Sequence, residues 1–236
     1  RMSRPEGLRH YQLSVVLAVQ DNEAKIGLQG GNITKLFLKD MKWTATNLKS
    51  IHKLLKVGDV IVVEKIAGNY MLQQIPEVNG GIMVVEHKTG RVLAAEGGYD
   101  FGISKFDRTT QAKRQPGSLI KPFVYLSALE AGARPTDIFE DAPIEIEQGP
   151  GLPLWKPKNY EDNFLGPVTM RMGLEKSRNT ITVRVGQFAG WQKVADTIKR
   201  FGINNNPKVV PSMVLGALET TLSRICLLYT SPSPRD

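Results

Sequence analysis

The segment at residues 115–123 constrains the fold more than any other stretch of this sequence; it reads Gln-Pro-Gly-Ser-Leu-Ile-Lys-Pro-Phe. The proline and glycine just before Ser118 interrupt the preceding chain, and Pro122 is tolerated in a helix only within the first turn. The segment therefore predicts that a helix begins near Ser118. The apolar residues that follow run to Leu129, and Gly132 marks the end of the helix. A helix of this length can form the centre of a packed domain.

Ser118 and Lys121 are three residues apart, so a helix that begins at Ser118 places both side chains on one face. A serine hydroxyl is a poor nucleophile until a base removes its proton. A lysine can be that base when burial or a neighbouring cation lowers its pKa. The N–H groups and the positive dipole end of a helix start also favour a developing oxyanion. Taken alone, however, a Ser-x-x-Lys pair is more typical of a helix cap with a surface lysine.

A second motif, Ser177-Arg178-Asn179, follows a predicted helix over Val168–Glu175. Such a turn can present a hydroxyl and an amide to the pocket that holds Ser118. On its own it is more typical of an Asn-containing turn after a helix. The two motifs together favour a serine acyl-transfer site.

Residues 11–75 contain short apolar runs separated by glycine-rich turns, which predict β-strands. Thr44–Leu55 instead has the spacing of a helix with one apolar face. Short strands with one interposed helix predict a small β-barrel of the OB type. The predicted strands are Leu13–Val19, Lys25–Leu28, Ile33–Leu38, the strand within Val57–Glu64, and Tyr70–Gln74.

The pattern changes after a boundary at residues 75–81. Two apolar runs, Ile82–Glu86 and Arg91–Ala95, flank a short turn that ends in glycine, which predicts a β-hairpin. From Ser118 onward the chain becomes helical and rich in loops, so the fold class is predicted to be α+β. Several prolines within Asp141–Lys158 predict an irregular surface loop.

The chain is basic, with a net charge of +8 and a pI near 9.5. This balance suits an acidic partner such as a nucleic acid, anionic lipid headgroups or an anionic wall polymer. An OB-type module that grips nucleic acid needs aromatic platforms in a positive groove. The few aromatic residues of the first 75 positions show no evident pairing, so this alternative is not favoured. The three histidines have no metal-ligand spacing, and no metal is predicted.

Several long segments, in the same order, resemble the transpeptidase domain of class A penicillin-binding proteins. The module before them resembles the OB-like domain that this family inserts ahead of its transpeptidase domain. The resemblance covers nearly all of residues 11–225. The segments that carry it are residues 75–81, 97–101, 111–118, 121–125 and 166–179, the last of which ends in Ser177-Arg178-Asn179.

The resemblance implies a role for each matching residue. Ser118 would be the acylated nucleophile that attacks the penultimate D-Ala carbonyl of a peptidoglycan stem peptide, and Lys121 would be its base. Ser177 would relay a proton toward the leaving D-Ala, while Asn179 would hydrogen-bond the substrate amide and help to fix Lys121. The substrate-binding residues would be Gly117, Asn159 and Tyr160.

The resemblance also implies the setting of the chain. The full-length protein is expected to be a peptidoglycan glycosyltransferase as well, anchored at the periplasmic face of the bacterial inner membrane. The expected partners are D-Ala-D-Ala stem peptides, β-lactam antibiotics and, through the OB-like domain, cell-wall assembly proteins. No nucleic acid partner and no cofactor are expected. A serine β-lactamase-like hydrolase is the alternative enzyme, with Glu219 as the residue that would activate water.

One departure from the family concerns its third motif, Lys-Thr-Gly, which should follow the Ser-x-Asn turn. The Lys88-Thr89-Gly90 string precedes Ser118, and we interpret it as a turn sequence. We therefore expect a partial transpeptidase domain over residues 76–225, inactive for that reason, after an OB-like domain at 11–75 and an upstream remnant at 1–10. Residues 226–236 resemble a translated sequencing adapter and are expected to be non-native.

Overall fold

The computed structural model describes residues 6–45 and 47–228, and the chain divides into two compact units. The first unit is Arg1–Gly80 with Gly98–Phe106, and the second is Gly81–Gly97 with Asp107–Asp236. The division thus falls at Gly80, a few residues beyond the predicted end of the OB-like domain. Each unit has a hydrophobic core of its own.

The first unit contains a closed five-stranded barrel in the order β1-β2-β3-β5-β4. Side chains alternate along β1, so that Ser14 and Val16 are buried while Val15 and Leu17 are exposed. The alternation confirms the predicted OB-like barrel, and one apolar face of each strand forms its core. The strands are β1 (Gln12–Val19), β2 (Glu23–Leu28), β3 (Ile33–Phe37), β4 (Val60–Ile66) and β5 (Asn69–Gln73).

The helix predicted over residues 44–55 is wrong. Thr44 is the last residue of a 3₁₀ segment, Leu38–Thr44, and within the described residues of the predicted stretch a second 3₁₀ segment covers Ile51–Lys53. The first ends because Ala45 is extended, and Ser50 is extended before the second. The apolar spacing arises instead because Ile51 and its neighbours pack against the barrel core.

The second unit begins with the predicted hairpin, in which Met83 pairs with Ala95. The helix predicted at Val168 begins two residues later, because Thr169 is the N-cap and its hydroxyl accepts a hydrogen bond from the Met172 N–H. The elements of this unit are β6 (Ile82–Val85), β7 (Val92–Glu96), α1 (Lys121–Glu130), β8 (Ile138–Asp141), β9 (Gly166–Thr169), α2 (Met170–Glu175), α3 (Asn179–Ala189), α4 (Trp191–Arg200) and α5 (Leu222–Leu228).

Helix α1 lies at the centre of the second unit, as its sequence predicts, and packs against α3 and α4. Val124, Ile181 and Ile198 are completely buried in the core that these helices share. Gly173 of α2 allows α3 to approach closely, because a Cβ there would lie 2.5 Å from Ile181 Cγ2. The core thereby holds α1, α2 and α3 in a fixed arrangement around the start of α1.

Helix α5 continues through residues 226–228, the first part of the stretch predicted to be non-native. The remainder of that stretch lies outside the described residues. Within residues 6–45 and 47–228, no helix has the length and apolar character needed to cross a membrane.

Candidate active site

Ser118 lies in a 3₁₀ turn, Gly117–Ile120, that leads directly into α1. The Lys121 N–H donates to the Ser118 carbonyl and closes this turn. The predicted helix start is therefore confirmed, with one 3₁₀ turn preceding the α-helix. Within this turn Ser118 is exposed, whereas Ile120 and Lys121 are buried. The helix start thus presents the hydroxyl to solvent and the amine to the interior.

Gly117 and Gly216 bring two chain segments into very close contact. Gly216 follows the 3₁₀ segment Pro211–Leu215 with a left-handed backbone, φ 85°. A Cβ on Gly216 would lie 2.4 Å from the Gly117 oxygen and 2.6 Å from its Cα. Only glycine fits at position 216, and no local sequence pattern signals that it supports the turn that carries Ser118.

The side chain of Lys121 is almost completely buried, with 2% of its surface exposed. Its Nζ donates to the Ser177 carbonyl at 2.6 Å, to Ser177 Oγ at 3.1 Å and to Asn179 Oδ1 at 2.7 Å. These bonds use all the N–H donors of a lysine ammonium. The two motifs found in the sequence therefore meet at one amine, although 56 residues separate Lys121 from Ser177.

The surroundings of Lys121 shift its protonation equilibrium toward the neutral amine. Burial, and next the nearby positive charge of Arg178, lower the pKa of Lys121 from 10.5 to about 8. The altered pKa agrees with the expectation that burial and a neighbouring cation prepare a lysine to act as a base. Arg178 is the middle residue of the Ser-x-Asn motif, so the motif also supplies the cation.

The turn that carries Ser177 is a Schellman motif at the end of α2. The Arg178 N–H donates to the Gly173 carbonyl and the Ser177 N–H to the Leu174 carbonyl, both at 2.9 Å. Ser177 occupies the position at which helices usually have glycine, and its φ is 51°. A side chain in this conformation costs roughly 1–2 kcal/mol. The strained position directs the Ser177 hydroxyl to Lys121.

Arg178 forms an almost fully buried ion pair beneath this turn. Its Nε lies 2.7 Å from Asp141 Oδ2, and Asp141 has no exposed surface. Burial alone raises the pKa of Asp141, but hydrogen bonds from Thr180, Asn159, Leu165 and Arg178 outweigh burial and lower that pKa. The carboxylate therefore stays charged and anchors the turn.

The prediction of a surface loop over 141–158 is wrong at Asp141 and at Ile146, which is buried in the core of the second unit and forms a β-bridge with Trp155. Asp141 is the last residue of β8, where the Arg178 ion pair and the hydrogen bonds around it hold its side chain inside the unit. A single charged residue ahead of a proline-rich stretch carries no local signal of burial. Its partner Arg178 lies 37 residues away, so only the folded chain reveals the pair.

Asn159 lies in the loop between β8 and β9 and connects this loop to the start of α3. Its Oδ1 accepts from the Asn179 N–H at 2.8 Å and from the Thr180 N–H at 3.3 Å, and its Nδ2 donates to Asp141 Oδ1 at 2.8 Å. Asn159 therefore satisfies N–H groups that a helix start leaves free. In addition, Asn179 Nδ2 donates to the Lys158 carbonyl. The side chain of Asn159 is 5% exposed, and its contacts are those of a residue that positions the Ser-x-Asn turn.

Ser118 and the Ser-x-Asn turn line one cleft of about 600 Å³. Tyr160 stands at this cleft with its side chain fully exposed. The cleft thus brings together all but Gly117 and Lys121 of the predicted site residues, and those two lie in the turn and helix start beside Ser118. Its lining residues are Ser118, Asn159, Tyr160, Glu161, Leu165, Lys176, Ser177, Arg178 and Asn179.

The Lys88-Thr89-Gly90 string and Glu219, two weaker features of the sequence, are not among the described residues that line the Ser118 cleft. The Lys88-Thr89-Gly90 string forms the turn between β6 and β7, where Thr89 Oγ1 donates to the Glu86 carboxylate and Gly90 has a φ of 73°. This placement agrees with its interpretation as a turn sequence.

Comparison with known protein families assigns both parts of the chain. The family model described as "Penicillin binding protein transpeptidase domain" matches residues 80–215. The model described as "Penicillin-binding protein OB-like domain" matches residues 1–78.

Individual relatives agree with these matches. Penicillin-binding protein 1A of Rickettsia felis is 62% identical over 97% of this chain, which corresponds to 29% of that protein. Penicillin-binding protein 1A of Haemophilus influenzae is 35% identical over 92% of the chain and 25% of the relative. The crystal structure of the Haemophilus influenzae protein superposes with a TM-score of 0.79 at 34% identity, covering 94% of this chain and 33% of the other. The chain thus spans less than a third of the length of these relatives.

Proposed function

Because this chain belongs to the penicillin-binding protein transpeptidase family, we propose that it carries the acylation residues of a serine D,D-transpeptidase that cross-links peptidoglycan stem peptides. The observation that supports this most directly is the set of hydrogen bonds from Lys121 Nζ to Ser177 and Asn179, at the cleft that Ser118 lines. This supports the proposal, because the residue proposed as base contacts the second hydroxyl and lies three positions after the proposed nucleophile. A binding module has no need of a buried lysine with a lowered pKa.

In the proposed first step, Ser118 Oγ bonds to the carbonyl carbon of the penultimate D-Ala while its proton passes to Lys121 Nζ. The peptide C–N bond then breaks, and the leaving D-Ala nitrogen gains a proton through Ser177 Oγ. The products are free D-Ala and an ester on Ser118. In the second step, the amine of a neighbouring stem peptide attacks the ester carbonyl, which forms the cross-link and restores the Ser118 hydroxyl.

Lys121 is suited to the base role because its pKa of about 8 leaves roughly a tenth of the population neutral at pH 7. The neutral amine keeps hydrogen bonds to the 177–179 turn and frees a lone pair for the Ser118 proton. An ordinary exposed lysine, with a pKa of 10.5, would be neutral only rarely at this pH.

The remaining residues are proposed to position the substrate and the turn. Asn179 holds Lys121 through Oδ1 at 2.7 Å and is proposed to bind the substrate amide. Tyr160, fully exposed at the cleft, is proposed to contact the bound peptide. Gly117, beside Ser118, is proposed to leave room for the substrate. Asn159 acts on the substrate through Asn179, whose backbone it holds.

The wider setting of the chain also stays a proposal. A β-lactam resembles the acyl-D-Ala-D-Ala substrate and is proposed to acylate the same Ser118. The full-length protein is proposed to be a class A enzyme that also polymerises glycan chains, at the periplasmic face of the inner membrane. Contacts of the OB-like barrel with cell-wall assembly proteins remain a prediction.

Labelling with fluorescent penicillin tests the proposal, using a protein of the length of the curated relatives. Wild-type protein should be labelled covalently, and mass spectrometry should place the adduct on Ser118. Ser118→Ala should abolish the label, and Lys121→Met should slow labelling by roughly 10²–10⁴-fold, the range typical of a lost general base. Lys199→Met, which removes an exposed lysine of α4, is the matched control and should label normally.

Ser177→Gly separates the chemistry of this turn from its folding. Glycine accepts the positive φ of this position without strain, so the variant should fold at least as stably as the wild type. Loss of the hydroxyl should still slow labelling. Labelling of Ser118→Ala at the wild-type level, or a Ser177→Gly variant that labels at the wild-type rate, would contradict the assigned roles.

A further inference from the structure

The barrel unit contains a second cleft, of about 790 Å³, which shares no lining residue with the Ser118 cleft. It is formed by the start of β1, the segment just before it, and the turn between β2 and β3. Its volume lies in the range of about 300–1,000 Å³ that is typical of small-molecule sites.

The lining of this cleft differs in composition from the basic chain as a whole. Among the described residues that line it there is no Lys, Arg, Asp or Glu, although the chain as a whole carries a net charge of +8. It offers instead the side-chain amides of Gln12, Gln29 and Asn32 and the rings of Tyr11 and Tyr70. Phosphate groups require cations, so this lining does not suit a nucleic acid.

The aromatic part of the lining is held in place. The rings of His10 and Tyr11 make an edge contact with centroids 4.6 Å apart, and His10 Nε2 lies 2.9 Å from Glu64 Oε1. Rings fixed before binding lose little conformational freedom when a ligand packs on them. The Tyr11 ring thus adds an ordered apolar group to a lining that also contains the amides.

The topology of the barrel narrows the class of ligand further. Within the described residues, each strand of the order β1-β2-β3-β5-β4 has two neighbours, although β3 and β5 meet only at the pair Leu36 and Tyr70. This closure disfavours the addition of a peptide strand along a whole edge. Five-stranded barrels of this type bind oligonucleotides or oligosaccharides on their surface. Since no Lys or Arg is among the described residues that line the cleft, oligosaccharides are the class that fits.

We propose that this cleft of the OB-like barrel binds a neutral oligosaccharide. The apolar faces of the sugar rings would pack on Tyr11 and Tyr70, and the sugar hydroxyls would hydrogen-bond to the amides of Gln12 and Gln29. The binding depends on none of the residues proposed for acylation.

Calorimetric titration of the 236-residue chain tests the proposal with two neutral probes. The probes are a tetramer of β-linked N-acetylglucosamine and the β-linked glucose tetramer. Saturable binding at millimolar or lower concentration is expected for at least one of them. Preference for the first would show that acetamido groups are recognised, and equal binding would show that the ring and hydroxyl pattern suffices.

Matched glutamine variants locate the site. Gln12→Ala and Gln29→Ala should each weaken binding roughly three- to tenfold, the value of one hydrogen bond. Gln20→Ala removes an exposed glutamine of the same barrel that does not line the cleft, and it should leave the affinity unchanged. Absence of saturable binding to either probe, or an equal loss in Gln20→Ala, would overturn the proposal. Either result leaves the penicillin-labelling experiment on Ser118 unaffected.

Discussion

At the scale of single residues, the site depends on groups held in unfavourable states. Lys121 is an amine buried with 2% exposure, and Ser177 is a non-glycine residue in the left-handed region. Both cost folding free energy, and they persist because the surrounding packing and hydrogen bonds hold them in place. Such positions cluster at functional sites because the strain sets the orientation and the pKa of reactive groups.

The titration of Lys121 gives a pH dependence with a definite sign. Its pKa is about 8 in the folded chain and 10.5 in an ordinary setting, so between these values the unfolded chain binds more protons than the folded one. The free energy of unfolding should therefore rise with pH from about 8 to about 10.5, relative to Lys121→Met. Chemical denaturation of both chains across this range measures the difference.

A direct titration of the same group supplies the control. With ¹³C-labelled lysine, one ε-carbon resonance should titrate near pH 8, and it should be absent from Lys121→Met. A wild-type spectrum in which every lysine titrates near 10.5 would contradict the assignment, as would a stability difference that stays flat across the range.

At the scale of elements, the position of Ser118 depends on two 3₁₀ segments that meet backbone to backbone. Gly117–Ile120 carries the nucleophile, and Pro211–Leu215 ends at Gly216, whose α-carbon faces Gly117. The contact leaves no space for a side chain at Gly216. The contact with Gly216, nearly a hundred residues downstream, thus fixes the position of the turn that carries Ser118.

Gly216→Ala should therefore do more damage than an ordinary glycine replacement. The new methyl would lie 2.4 Å from the Gly117 oxygen, so the Ser118 turn must move, and penicillin labelling should slow markedly. Gly132→Ala is the matched control, since Gly132 also has a positive φ, 98°, but nothing lies within 4 Å of the added atom.

Gly132→Ala should lower the free energy of unfolding only by the roughly 1–2 kcal/mol that a side chain at positive φ costs. It should leave penicillin labelling unchanged. Chemical denaturation should show a larger loss of unfolding free energy for Gly216→Ala than for Gly132→Ala. Equal losses of stability in the two variants, with labelling unchanged in both, would remove the supporting role of Gly216.

At the scale of the whole molecule, the chain consists of two units with separate cores. Ile26 is completely buried in the barrel core, and Ile198 is completely buried in the core around α1. The two core clusters have no residue in common. The proposed chemistry resides in the second unit and the proposed sugar cleft in the first, so each function depends on its own core.

Truncation of one core residue in each unit tests this division. Ile26→Ala and Ile198→Ala should each destabilise by about 2–5 kcal/mol, as deletions in a packed core do. Hydrogen-exchange mass spectrometry should show the larger loss of protection in the barrel peptides for Ile26→Ala and in the α1, α3 and α4 peptides for Ile198→Ala. Equal losses across both units in the two variants would contradict separate cores.

The sequence by itself determined the features that follow from local rules. Pro116, Gly117 and Pro122 set the start of the helix at Ser118, and two apolar runs around a glycine-ending turn set the hairpin of β6 and β7. The glycine-separated strands predicted the barrel. Each of these depends on residues that are close in sequence, whose steric preferences act before any tertiary contact forms.

The tertiary structure alone decided what distant residues do to one another. It brought Lys121 to Ser177 and Asn179, buried Asp141 against Arg178, and placed Gly216 against Gly117. It also replaced the predicted helix over 44–55 by short 3₁₀ segments, because apolar residues at helical spacing pack equally well on a barrel core. Contacts of this kind depend on how the elements pack, and no periodicity within one element encodes the partner that it will meet.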